Sequence, residues 1–196
     1  MAAAGGERSA GHCPFAPDDR YRQEAASGLR CYFEAMRDRT LCFLLKSDPP
    51  DEVLLGFKKI GFGAGKYTGI GGKVEPDETI VNAALRELEE EIGVKASEHN
   101  LIKLGQLTFL FPANPAWSQV VHVFQVTEWK GDPAESDEMK PAWFGMNQLP
   151  FEQMWQDAPH WLPNILAGES LRMCFIFKDD NETICEIKKG EFSTSD

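Results

Sequence analysis

No apolar run in this 196-residue chain approaches the roughly 20 residues that a membrane-spanning helix needs, so a soluble protein is expected. Positive charge is also short: 20 Lys and Arg stand against 31 Asp and Glu, a formal net charge of -11. That balance opposes a nucleic-acid polymer or an anionic membrane as partner. It leaves room for a nucleoside triphosphate, which arrives with its own metal. The five cysteines (Cys13, Cys31, Cys42, Cys174, Cys185) are odd in number and form no close pair, which suits reduced, mostly buried thiols in a cytosol better than disulfides or zinc. Cys174 and Cys185 would face each other across a hairpin and are read as packing residues. His12, His99, His122 and His160 lack metal-ligand spacing. A P-loop is missing too: Gly61-Phe62-Gly63-Ala64-Gly65-Lys66 is followed by Tyr67, where a phosphate-cradling loop needs Ser or Thr. Those glycines are read as a flexible connection. No internal repeat is visible.

What the chain does have is a crowd of carboxylates. From Gly72 the sequence passes Glu78 and reaches Arg86-Glu87-Leu88-Glu89-Glu90-Glu91-Ile92-Gly93-Val94. Val81, Ala84, Leu85, Leu88 and Ile92 recur at the helical period, so one side of this segment packs on a core. Asp77, after Pro76, is the expected N-cap, and Gly93 the expected left-handed stop. Glu87, Glu90 and Glu91 lie three and four residues apart and share a face. Like charges at that spacing weaken a helix. A hard divalent cation would remove the cost, and Mg²⁺ typically binds through few carboxylates plus substrate phosphate oxygens. Arg86 and Glu78 read as an internal ion pair bracing the loop against the helix.

Around this segment, Thr40 to Leu45 and Val53 to Lys58 read as strands joined by Asp48-Pro49-Pro50-Asp51. Ile102 to Phe111, Val120 to Glu128, Trp143-Phe144, Leu171 to Phe177 and Thr183 to Ile187 read as further strands. Leu29 to Met36 and Leu162 to Leu166 read as helices, Pro150 to Trp155 as a helical turn. Strands flanking two helices imply an α+β sandwich, with the motif helix on one face of a mixed sheet. Residues 1–26 are small, polar and proline-containing and are expected to be a disordered extension before a domain over 27–190 and a flexible tail over 191–196. Glu7, Asp18 and Asp19 offset the arginines of that extension, which suits a cytoplasmic protein better than a secreted or organellar one.

The spacing Gly-x5-Glu-x7-Arg-Glu-U-x-Glu-Glu-x-Gly-U, with U aliphatic, is that of the Nudix box. Gly72, Glu78, Arg86, Glu87, Leu88, Glu90, Glu91, Gly93 and Val94 fill every fixed position. A charged helical face is ordinarily only a solvated one, and Glu90 and Glu91 alone would be read so; nine constrained positions at fixed spacing outweigh that reading. The chain therefore resembles Nudix hydrolases from about Thr40 to Ile187. It is most similar to the MutT-like branch that hydrolyses oxidised purine nucleoside triphosphates, including 8-oxo-dGTP, to monophosphate and pyrophosphate and so sanitises the nucleotide pool. The stretches that carry this are Gly61 to Gly65, Gly71 to Val74, Val121 to Phe124, Glu135 to Met139 and Pro150 to Trp155. The resemblance implies the Nudix α/β/α sandwich and a metal site of Glu87, Glu90, Glu91, Glu138 and the carbonyl of Gly71. It further implies Mg²⁺, with Mn²⁺ as a substitute, and a monomer that acts without nucleic-acid polymer or membrane.

By the same resemblance the base pocket comprises Thr40, Lys58, Phe62, Thr68, Phe109, Phe111, Trp155 and Asp157. Flat aromatic walls suit a purine, with stacking worth roughly 1–3 kcal/mol per base. Phe109 and Phe111 fit a sheet core equally well, and Lys58 fits a solvated strand end as well as a phosphate contact. Two departures stand out: Thr68 where the branch carries Asn, and Ala158 after Asp157 where it carries a second Asp. Fewer hydrogen bonds to a purine edge follow, and weaker discrimination of 8-oxoguanine. The implied chemistry is attack of water on phosphorus, with Glu91 or Glu138 taking the proton while Glu90 and Glu87 mainly hold metal. Two alternatives remain: another substrate (a dinucleoside polyphosphate, a nucleotide sugar or an unmodified triphosphate), or a non-catalytic nucleotide-binding module.

Overall fold

The computed structural model describes residues 36–190. The expected extension, the expected tail and nearly all of the helix expected over Leu29 to Met36 lie outside them. Strand β1 (Arg37–Lys46) turns through Asp48-Pro49, a cis peptide, into β2 (Glu52–Lys58), its antiparallel neighbour. The two-residue β3 (Tyr67–Thr68) pairs with β2 and precedes helix α1 (Ile80–Ile92). Strands β4 (Leu101–Leu110), β5 (Gln119–Val126) and β6 (Met139–Gly145) follow. Helix α2 (Ala158–Leu166) and the hairpin of β7 (Leu171–Phe177) and β8 (Ile184–Gly190) complete the domain.

The sheet runs β3-β2-β1-β5-β4-β7-β8, with β6 also on β2. It is mixed: β1 runs parallel to β5 and β4 to β7, while the other pairs are antiparallel. Side chains on a strand alternate between faces, and β1 feeds two cores. Cys42 and Leu44 join Leu54, Leu88 and Ile92 under α1, whereas Phe43 and Leu45 join Val123, Trp161 and Ile165 under α2. The Gln125 side chain donates to the carbonyl of Ile165 at 2.7 Å, tying α2 to β5. The expected sandwich, with the carboxylate-bearing helix on one face of a mixed sheet, is the observed architecture.

Several boundaries differ. The N-cap of α1 is Thr79, whose hydroxyl accepts from the Asn82 amide at 3.1 Å. Asp77 instead adopts a left-handed conformation (φ 69°) two residues before the cap, so its side chain is not at the helix entrance. Ala83 joins Ala84, Leu88 and Ile92 in the buried stripe, and Val81 and Leu85 are only half-buried. Gly93 ends the helix as expected, at φ 73°. Helix α2 starts four residues before Leu162, since Pro159 sits in its first turn, where no amide is needed. The Trp143-Phe144 strand extends to seven residues despite Pro141. Cys185 is disulfide-bonded, which corrects its reading as a reduced packing residue, while Cys42 and Cys174 are free. No described helix is long and apolar enough to cross a membrane.

Candidate active site

Helix α1 delivers the acidic end of the site. Arg86 is its organiser. Its Nε and Nη2 donate to the two oxygens of Glu78 at 3.2 and 2.7 Å, and Nη2 also donates to the Lys73 carbonyl at 2.9 Å. This is the expected brace between loop and helix. The same guanidinium donates through Nη1 to Glu87 at 3.0 Å and to Glu90 at 2.9 Å. Hydrogen bonding, first to Glu78, raises the pKa of Arg86 further, so it stays cationic. Glu91, only 4% exposed, accepts from Lys58 Nζ at 3.3 Å and from the Gly71 amide at 2.9 Å. Burial pushes the Glu91 carboxyl up to about 7 against the pull of Lys58 and the Gly71 amide. Burial likewise raises Glu87, opposed by Arg86. Glu138 is exposed; its carbonyl accepts from the Lys59 amide at 2.8 Å, and Met139 pairs with Lys58, which brings this loop beside the lysine.

Among the described residues no group of three His, Cys, Asp or Glu side chains is arranged to hold an ion as it stands. The reason is local: Arg86 draws Glu87 and Glu90 onto itself, and Lys58 with Gly71 holds Glu91. The donor set nevertheless fits a hard divalent cation. It is all oxygen, and burial leaves the charge on Glu87 and Glu91 only partly compensated. Gly72 is the cradle that lets it form, since a Cβ there would stand 2.3 Å from a Glu87 carboxylate oxygen.

From this corner a cleft runs along the α2 face of the sheet, enclosing about 850 Å³ counted out to solvent. Thr40, Lys58, Phe62, Thr68, Phe109, Phe111, Trp155 and Asp157 all line it, as do Gly71 and Gly72. Phe62 stacks on Trp155 with centroids 5.2 Å apart and planes 18° apart. Phe109 and Phe111 serve both readings: each is buried in the core, stacked on Phe175 and Phe177 respectively, and still borders the cleft. The expected base-pocket residues thus line one cleft; Glu87, Glu90, Glu91 and Glu138 do not line it, and Glu91 adjoins it through its bonds to Lys58 and Gly71. Arg39 and Gln119 also line it and are absent from the sequence reading, because polar residues near strand ends look like solvated edges.

Asp157 closes the aromatic end. It is 4% exposed, and its Oδ2 accepts from the Trp161 indole at 2.7 Å. Burial raises its pKa from 3.8 to about 6, with the Trp161 hydrogen bond opposing. A carboxyl raised in the folded state loses stability as the unfolded chain ionises first. The loss therefore develops as pH rises from about 3.8 to about 6 and persists above. Asp157→Asn keeps the acceptor for Trp161 and removes this penalty. Relative to wild type it should gain up to about 3 kcal/mol between pH 4 and pH 8 at 1.36 kcal/mol per pKa unit, read by urea denaturation. A difference that does not change with pH would mean Asp157 ionises normally.

The NUDIX domain family matches residues 36–165. The oxidized purine nucleoside triphosphate hydrolase of Danio rerio is 44% identical over 142 residues, covering 72% of this chain and 88% of that protein. Its counterpart from Mus musculus is 44% identical over 143 residues with the same coverage. Among solved structures, a MutT protein from Bacillus halodurans superposes with a TM-score of 0.65 at 22% identity, covering 79% of this chain and 97% of that one.

Proposed function

Because this chain belongs to the NUDIX domain family, we propose that it hydrolyses purine nucleoside triphosphates to monophosphate and pyrophosphate. Oxidised purines such as 8-oxo-dGTP are its substrates and nucleotide-pool sanitation its role, in keeping with the relatives' names. It acts as a cytoplasmic monomer. The observation that carries this reading is the continuity of one cleft from Lys58, Gly71 and Gly72 to Trp155 and Asp157. A purine placed against the rings projects its phosphates toward the carboxylates of α1.

In the reaction water attacks the α- or β-phosphorus of the triphosphate, the oxygen bridging them leaves with pyrophosphate in the first case and with the monophosphate in the second, and a proton is released. Glu91 or Glu138 takes that proton. Burial raises the Glu91 carboxyl in the metal-free site, and a general base is most effective when its basicity lies near the working pH. Lys58 offsets negative charge at the phosphates, and Arg86 holds Glu87 and Glu90 together through one guanidinium nitrogen. Glu87, Glu90, Glu91, Glu138 and the Gly71 carbonyl would hold Mg²⁺ or Mn²⁺. Such an ion supplies charge neutralisation on phosphate oxygens and acidifies water.

The test is pyrophosphate release from a panel of modified and ordinary purine triphosphates, dinucleoside polyphosphates and nucleotide sugars. Turnover is expected with Mg²⁺ and should vanish in excess chelator. Ca²⁺ should support it poorly, because it is larger and more loosely coordinated. Full turnover in chelator would overturn the metal requirement, and no triphosphate turnover at all would overturn the substrate class.

Thr68 and Ala158 bear on selectivity. Ala158 is buried on the cleft wall beside Asp157. One added hydrogen bond is worth about 0.5–1.5 kcal/mol net. Ala158→Asp, alone or with Thr68→Asn, should raise the kcat/KM ratio of 8-oxo-dGTP over dGTP a few-fold to roughly tenfold. An unmoved ratio would remove these two positions from the base pocket.

A further inference from the structure

Arg39 is the one strong donor in the cleft that nothing described so far employs. Its Nε is buried without a partner, and no ion pair holds its guanidinium among the described residues. The guanidinium lies over the Phe62 ring, 6.0 Å from the centroid, and Phe62 in turn stacks on Trp155. Strand alternation puts Arg39 on the face of Leu41 and Phe43, among the rings of the cleft. Its register partner on β5 is Val121, two residues from Gln119, whose side chain also borders the cleft and is opposite Phe109 on β4. Burial, the largest influence, and neighbouring Arg37 both make the positive charge of Arg39 costly, with the Glu87 carboxylate opposing them. Arg39 as a whole is half-buried, but its buried Nε gains a hydrogen bond only when a ligand arrives.

We propose that Arg39, with Gln119 beside it, reads the carbonyl-bearing edge of the purine, so that the site selects oxopurine over aminopurine triphosphates. The inference rests on the proposed function. A planar fork of donors matches O6 and N7 of guanine, or a carbonyl oxygen of 8-oxoguanine. Adenine keeps N7 but presents a donor in its 6-amino group, so the fork loses one of its two partners. Lys58 already offers a cation at the phosphate end, beside Glu91. Selectivity thereby shifts from oxidised against ordinary guanine, which Thr68 and Ala158 weaken, to guanine-type against adenine-type bases.

The experiment compares wild type, Arg39→Leu and Arg39→Lys with dGTP, dITP and dATP at saturating Mg²⁺. Inhibition by dGMP and dAMP is measured alongside, and thermal melts verify folding. A bidentate arginine contact discriminates bases by about 1–3 kcal/mol, so Arg39→Leu should lower kcat/KM for dGTP and dITP roughly tenfold or more relative to dATP, through KM. Inhibition by dGMP should weaken more than that by dAMP. Arg39→Lys, which keeps the charge without the fork, should not restore the preference and serves alone if the leucine variant fails to fold. Equal losses on all three triphosphates, or full restoration by lysine, would assign Arg39 to the phosphates and overturn the inference. Wild type inactive on every triphosphate would overturn the proposed function and the inference with it.

Discussion

Glu91→Gln should lower kcat by about 10²–10⁴-fold at saturating Mg²⁺ while the protein stays folded. The amide has the size of the carboxyl, and its oxygen still accepts from the Gly71 amide or from Lys58, the two partners of Glu91. It has neither the negative charge that would hold a cation nor the basicity that burial confers on Glu91. Because a buried carboxylate is removed, the metal-free melting temperature should hold or rise slightly. Glu90→Gln should also lose most turnover. The contrast with Glu138→Gln separates the two candidate bases: the true base leaves a variant whose acid limb in the pH–rate profile is gone. Near-wild-type turnover by Glu90→Gln or Glu91→Gln would place the chemistry elsewhere.

Gly71→Ala is expected to be costly for a different reason. Gly71 has φ 152°, and a Cβ built there would stand 2.3 Å from the Thr40 carbonyl oxygen and 2.8 Å from its carbon. Both are backbone atoms of the central strand, so no side chain can swing aside. Backbone strain and overpacking each cost roughly 1–3 kcal/mol, so a loss of about 2–6 kcal/mol is expected in urea denaturation. Activity should fall with it, because the Gly71 amide anchors Glu91. Gly72→Ala is the control. There the clash is with the carboxylate end of Glu87, which can rotate away, so the loss should appear in turnover more than in stability. Unchanged stability of Gly71→Ala would show that the corner is looser than its geometry implies.

The parts of this molecule that were legible in its sequence are those where chemistry is dense and spacing is local. The carboxylates of α1, the Arg86–Glu78 brace and the Gly93 stop all follow from one helical repeat. The cap was misread because Asp77 is a good capping type, yet its left-handed backbone ends the preceding turn and leaves Thr79 at the entrance. Strand β6 was foreshortened since most of it is half-buried and Pro141 breaks its alternation. Arg39 and Gln119 were invisible for a deeper reason. They are 80 positions apart, and only the parallel pairing of β1 with β5, where Arg37 lies opposite Gln119, makes them neighbours. No local pattern carries that information.

The alternation along β1 also bears on how such a domain changes over generations. Residues at Arg39, Leu41 and Phe43 face the base cleft, while Cys42 and Leu44 alternate with them toward α1. Point substitutions on one side can therefore retune which base is accepted without disturbing the hydrolytic side. A single-residue insertion or deletion within β1 cannot, because it would exchange the two sets and put core residues in the cleft. In a library of variants, β1 should tolerate replacements at Arg39 and reject every length change between Arg39 and Leu45. Length variation should collect instead in the hairpin turn over Ser47 to Asp51, where the described chain is exposed.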